Sequence, residues 1–315
     1  MILRVVSTQT PAPGFASPNP VYVPQAPWYA LRSSILEASV GIPADLTQVL
    51  DKIDPTGPGE GFPLTHRQAY EAVGFRASSV ALQAAHLAIG AVKDAPTQTA
   101  LVAAYTAVDT NETVGYAVHI VDMQTLACQR EYVMFKVGDA RTKGVGMQVT
   151  GTWDNLMPHL GVQTMTMTAA YVGRLVWALE GFDFENDATR TMMRERFARF
   201  MEHFDLAAAD LFFRRDDGTV EPFALDRLDH SWDFAHVVSK KGPLRLPTRT
   251  SDYQDDEGVL EAGRAFMLGD FRRPELADCV CPDYSAVRQT DLDSPNQRQA
   301  RAYGAARAAK AKSTG

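Results

Sequence analysis

Residues 141–146 read Arg-Thr-Lys-Gly-Val-Gly, between the strand-like run "REYVMFKVGD" and the segment "MQVTGTWDNLMPHL". Two glycines one residue apart let a main chain approach an oxygen-rich ligand with no Cβ in the way. If a helix opens there, its first N–H groups lack intrahelical partners and the positive end of its dipole faces the same point. A pyrophosphate suits such a turn, and Arg141 and Lys143 add positive charge. The plain alternative is a glycine-rich turn with an architectural role only. No Gly-Lys-Ser/Thr follows, so the turn is not a nucleotide P-loop, and the three glycines of a dinucleotide fingerprint are missing.

Other chemistry-bearing residues are scattered. The seven histidines, His66, His86, His119, His159, His203, His230 and His236, form no metal-binding pair on one helix face, so no metal is expected. Asp229, His230 and Asp233 cluster in a segment of mixed type. Cys279 and Cys281 have no second pair at zinc spacing and read as ordinary thiols, while Cys128 reads as a small core residue. No Gly-x-Ser-x-Gly elbow is present, so a serine hydrolase has no support.

The elements that must position the glycine turn read as α/β. Ten prolines crowd residues 1–64, where short strands are expected at Leu3–Ser7 and Val21–Val23. A helix is expected over "APWYALRSSILEAS", anchored by Trp28 and Tyr29. Alanine and leucine favour helix from His66 to Val92, broken at Gly74. "TQTALVAAYTAV" is ambiguous between helix and strand. "TVGYAVHIVDMQ" and "LACQREYVMFKVGD" read as strands around a turn at Asp122–Thr125. Helix is expected from about Gly144 to Leu160, then a strand in "GVQTMTMTAA". A further helix runs through Leu179 with Gly181 as its stop. In the next helix Met193, Phe197, Phe200, Met201 and Phe204 share a face and read as core. After Asp293 the chain carries five basic residues and no acid, a disordered or inducibly helical tail.

With 315 residues, 45% hydrophobic, the chain can bury a substantial core. Its net charge of −7 gives no overall pull toward nucleic acid or membrane. Three cysteines fit a reducing compartment, and neither a signal peptide nor a membrane span is evident, so the expected location is the cytoplasm.

"RTKGVG" resembles the Arg/Gln-x-x-Gly-x-Gly/Ala motif of the GNAT N-acyltransferase superfamily, which binds the pyrophosphate of acyl-coenzyme A. The order of elements is similar over about residues 110–184: strand, motif, helix, strand, then a helix closing on "WALEGFDF". "SWDFAHVVS" and "EAGRAFMLGDF" more faintly resemble a bacterial subgroup. The resemblance implies a mixed central sheet with flanking helices, bearing a Pro-rich N-terminal extension and an irregular C-terminal region. It implies that backbone N–H groups of Thr142, Lys143, Gly144, Val145 and Gly146 hold the pyrophosphate, beside Arg141. It also implies that Phe135, Lys136 and Val137 form a strand that splays from the next one and pairs with the pantetheine arm.

The activity implied is transfer of an acyl group, acetyl first, from acyl-CoA to a primary amine of unstated class. The amine attacks the thioester directly, by positioning and deprotonation. Many relatives carry a tyrosine four residues before the Gly of Gly-Phe as acid; here Trp177 stands there, and Ala170 replaces a frequent asparagine. Tyr171 is the candidate acid, or packing. Glu131 is the candidate base, or a plain strand carboxylate. The alternative is a catalytically inactive GNAT-shaped protein whose termini wrap a protein partner or a second copy; the weakest reading is a polyanion binder using residues 298–312. The expected organisation is an extension at 1–64, the acyl-CoA-binding core at 65–206, a region of uncertain fold at 207–293 and a basic flexible tail at 294–315.

Overall fold

Runs of Val, Ile, Ala and Tyr build a mixed sheet from β1 (Ile53–Asp54), β2 (Leu82–Val92), β3 (Ala95–Ala107), β4 (Thr113–Asp122), β5 (Ala127–Phe135), β6 (Thr164–Ala169), β7 (Asp183–Phe184) and β13 (Tyr284–Gln289). The strand order is β1-β2-β3-β4-β5-β6-β13-β7. The computed structural model describes residues 27–38, 45–73, 82–107, 110, 112–135, 145–249, 255–291 and 293–314. The strands expected at Leu3–Ser7 and Val21–Val23 lie outside the described residues. With helices flanking a large mixed sheet, the α/β class is as expected. The chain divides into two compact units, Met1–His119 with Tyr132–Leu160, and Ile120–Glu131 with Gly161–Gly315.

In the first unit, α1 (Trp28–Ala38) buries Leu31 and Ile35, one turn apart on one face. Tyr29 is 73% exposed, which corrects its expected role as an anchor. After α2 (Leu46–Asp51) and α3 (His66–Val73), the helix expected to reach Val92 is replaced by β2. Alanine-rich β2 pairs antiparallel with β3 along its length, and this ladder outweighs the helix preference of its residues. From Thr99 to Ala107 every residue of β3 is buried, so the alternation that would have marked it as a strand is absent. The glycine turn is followed by α4 (Val145–Leu156), which tightens into a 3₁₀ turn over Met157–Leu160. Trp153 fastens α4: its ring is fully buried, its Nε1–H donates to Tyr105 Oη at 2.8 Å, and His119 lies 4.3 Å away.

In the second unit, β5 and β6 are parallel, Ala127–Arg130 against Thr164–Met167, and β13 runs antiparallel to both β6 and β7. The expected turn between β4 and β5 is present, with Asp122 accepting from Gln124 N and Thr125 N. Helix α5 (Gly173–Leu179) ends as expected at Gly181, whose φ of +81° suits glycine. Helix α6 (Asp187–His203) starts at Asn186, which caps Thr189 N at 2.9 Å. Met193, Phe197 and Phe200 are buried on it, while Met201 and Phe204 are only half-buried.

The region left unassigned is regular. It holds a small sheet of β8 (Leu211–Arg214), β9 (Val220–Pro222) and β10 (Val237–Ser239), and a hairpin of β11 (Leu244–Arg249) and β12 (Asp255–Leu260). Helices α7 (Ser231–Ala235) and α8 (Ala262–Leu268) complete it, and the basic tail is helix α9 (Pro295–Thr314). Phe197, Phe234 and Phe266 form the aromatic core, with ring centroids 5.0 Å, 5.4 Å and 5.7 Å apart. Phe197→Ala is therefore expected to lower stability by about 3–5 kcal/mol, and Tyr29→Ala by less than about 0.5 kcal/mol, in urea unfolding.

Candidate active site

Of the residues expected to hold an acyl carrier, Lys136, Val137, Arg141, Thr142, Lys143 and Gly144 lie outside the described residues. Val145 and Gly146 are the first two residues of α4, so the helix opens at the glycine pair as the sequence suggests. Their N–H groups belong to the first turn, where no intrahelical acceptor is available. Phe135 closes β5, half-buried, with its ring 5.4 Å from that of Tyr105. Gly115 lies beneath it, and a Cβ there would collide with the Phe135 ring. Burial pushes the Tyr105 phenol well above its ordinary range, so it acts as a neutral acceptor for Trp153.

Glu131 and Tyr171 belong to the second unit. The parallel ladder ends at the pair Arg130↔Met167. Glu131 is the next residue of β5, and Tyr171 comes four residues beyond Met167, so both follow the same end of one ladder. Both are half-buried. Tyr171 has φ +53°, a conformation that costs a bulky residue about 1–2 kcal/mol. Its carbonyl accepts from Arg174 Nε at 3.1 Å, and the Arg249 guanidinium lies 4.3 Å over its ring. Trp177 is a packing residue: its ring meets Phe182 edge-on at 5.9 Å and carries Arg130 at 5.6 Å.

The Gly-Phe close has a physical basis. A Cβ on Gly181 would overlap the Asn296 carbonyl, and Phe182 lies between two buried guanidiniums, Arg130 at 5.2 Å and Arg288 at 4.6 Å. Among the described residues no group of three or more His, Cys, Asp or Glu is placed to hold a metal ion. All three cysteines are free and buried, and burial pushes the Cys281 thiol up to about 12. No helix among the described residues is long and apolar enough to cross a membrane.

Sequence reasoning missed one arrangement. Asp183 on β7 accepts from His230 Nδ1 at 2.6 Å and from Ser231 N at 2.9 Å. The flag in the sequence was the cluster Asp229, His230 and Asp233; the partner 47 residues earlier carried no local signal.

No protein-family model and no curated protein matches the sequence. Among solved structures the chain is similar to nourseothricin acetyltransferase at 12% identity, over 33% of this chain and 69% of that one, with a TM-score of 0.19. A likeness so slight carries no argument.

The hydrogen bond to Asp183 raises His230 above its ordinary 6.5, against the opposing effect of its burial. A raised value means that the charged form is stabilised by folding. That contribution is complete below pH 6.5 and fades as pH rises through the folded value. Chemical denaturation as a function of pH is expected to show stability falling across that window in the parent, and a shallower fall in His230→Gln.

Proposed function

We propose that the protein is an acyl-CoA-dependent N-acyltransferase, acting with acetyl-CoA or another acyl-CoA on a primary amine. The observation that carries this reading is the start of α4 at the glycine pair of "RTKGVG", in the connection between the parallel strands β5 and β6. A parallel pair needs a crossover, and here the crossover helix opens on the residues suited to a pyrophosphate. The pyrophosphate rests on N–H groups of Thr142–Gly146, with Arg141 and Lys143 supplying charge. The pantetheine arm runs along Phe135, Lys136 and Val137.

In the reaction the amine loses a proton to Glu131, directly or through water, and attacks the thioester carbonyl. The C–N bond forms, the C–S bond breaks, and the leaving thiolate takes a proton from Tyr171. Trp177 is committed to packing and Tyr171 stands beside a cation, so the phenol is the better-placed acid of the two. Such an enzyme works in the cytoplasm, where acyl-CoA is made and where Cys128, Cys279 and Cys281 stay reduced.

The packed Trp177 also favours a second reading, a fold that binds acyl-CoA without turnover. Calorimetric titration with acetyl-CoA separates these readings when joined to an amine screen. Binding in the parent that is lost when Gly144 and Gly146 are both changed to Val places the carrier at the turn; no binding to the parent overturns both readings. Tyr171→Phe is expected to keep binding and lower kcat by about 10²–10⁴. Binding by the parent with no product from any amine selects the second reading.

A further inference from the structure

The turn after β8, the start of α7 and the first turns of α9 enclose an open groove of roughly 390 Å³ in the second unit. His230 lines it with its ring stacked on Trp232, centroids 4.3 Å apart and planes within 14°. Its Nδ1 is turned toward Asp183, which is only 8% exposed. The other ring nitrogen, Nε2, therefore points away from Asp183, on the exposed side of the ring, and has no hydrogen-bond partner among the described residues.

The charges around the groove are matched, with two exceptions. Arg215 is bound to Asp233 at 2.5 Å, and Asp216 to His236 at 3.1 Å and to Gln299 at 2.9 Å. Among the described residues neither Arg298 nor Asp217 forms an ion pair in contact, although Asp217 lies in the field of Arg215. Arg298 gives one N–H to the Asp293 carbonyl at 2.5 Å, and Asp217 accepts from Thr219 N at 2.9 Å, which leaves a cation and an anion open to a ligand. A molecule with only one charge would satisfy only one of them.

We propose that this groove binds a small zwitterion carrying one carboxylate and one ammonium group, the carboxylate held by Arg298 and His230 Nε2–H and the ammonium by Asp217. The site shares no residue with the proposed acyl-transfer chemistry and does not depend on it. Carboxylate binding needs His230 in its doubly protonated form. Asp183 on β7 favours that form, as do Asp233 on α7 and Asp229 just before it, against the burial of the ring; Arg215, Asp216, Asp217 and Arg298 are the other charged groups that line the groove. The ammonium contact needs only the Asp217 carboxylate, so the two contacts differ in their response to pH.

The test titrates the full chain with L-leucine and with its two halves, 4-methylpentanoate and isoamylamine. Leucine is expected to bind about tenfold more tightly than either half, since each half forgoes one of the two charge-assisted contacts. Arg298→Gln should weaken leucine and 4-methylpentanoate by about tenfold and leave isoamylamine unchanged; Asp217→Asn should do the reverse. Binding of 4-methylpentanoate should weaken as pH rises above 6.5 through the raised folded value of His230, and His230→Gln should remove that dependence. In the unaltered protein, leucine should shift the NMR signal of the Trp232 indole N–H, a readout that needs no variant to fold. Equal binding of the three probes, or an unmoved Trp232 signal at saturating leucine, would overturn the proposal and leave a solvated groove.

Discussion

The second unit is organised around a charge that has no water. Arg174, on α5, is completely buried, and desolvation lowers its pKa. Its guanidinium is satisfied by main-chain carbonyls of Tyr171, Leu268, Gly269 and Cys281, with Asp283 Oδ1 3.8 Å away. An uncompensated charge in that position would cost several kcal/mol, so those segments can pack together only while each presents its carbonyl. The start of α5, the end of α8 and the residues before β13 are thereby fixed by one side chain. The left-handed Tyr171 supplies one of the accepting carbonyls, which is how its strain is held.

Arg130 and Arg288 follow the same logic with a different solution. Both are buried, and both place their guanidinium planes near Phe182. Arg288 adds a hydrogen bond to the Glu180 carbonyl at 3.1 Å and a contact with Met165 Sδ at 3.4 Å. A ring between two guanidiniums offers its negative faces to both, which offsets part of the desolvation of each. Phe182 therefore contributes more than apolar area, and Gly181 before it is required because the Asn296 backbone occupies the place of a side chain.

What could be read in advance follows the range of the interactions. β4, β5, α4, α5 and the Gly181 stop are set by local preference and periodicity, and each was legible to within a few residues. β2 and β3 were not. Their composition is rich in Ala and Leu, and β3 is buried on both faces, so neither propensity nor alternation marks them; pairing decides. Tyr29 looked like an anchor because aromatics usually bury, yet the spacing of Leu31 and Ile35 was the better guide to the inner face of α1. At the candidate site only the start of α4 at Val145 was visible, because the glycine pair that suggested it is local in sequence. The Arg249–Tyr171 contact and the Asp183–His230 pair join residues far apart in sequence, and only the fold brings them together.

The same distinction separates Tyr105 in the first unit from Tyr171 in the second. Tyr105 is fully buried, accepts from Trp153 and has its proton held by desolvation, so it is fixed as structure. Tyr171 is half-buried, follows the open end of a parallel ladder, and carries a cation over its ring. Desolvation holds the proton of Tyr105 and leaves that phenol a structural acceptor. Trp177, by contrast, is held by packing alone, edge-on to Phe182 and beneath the Arg130 guanidinium.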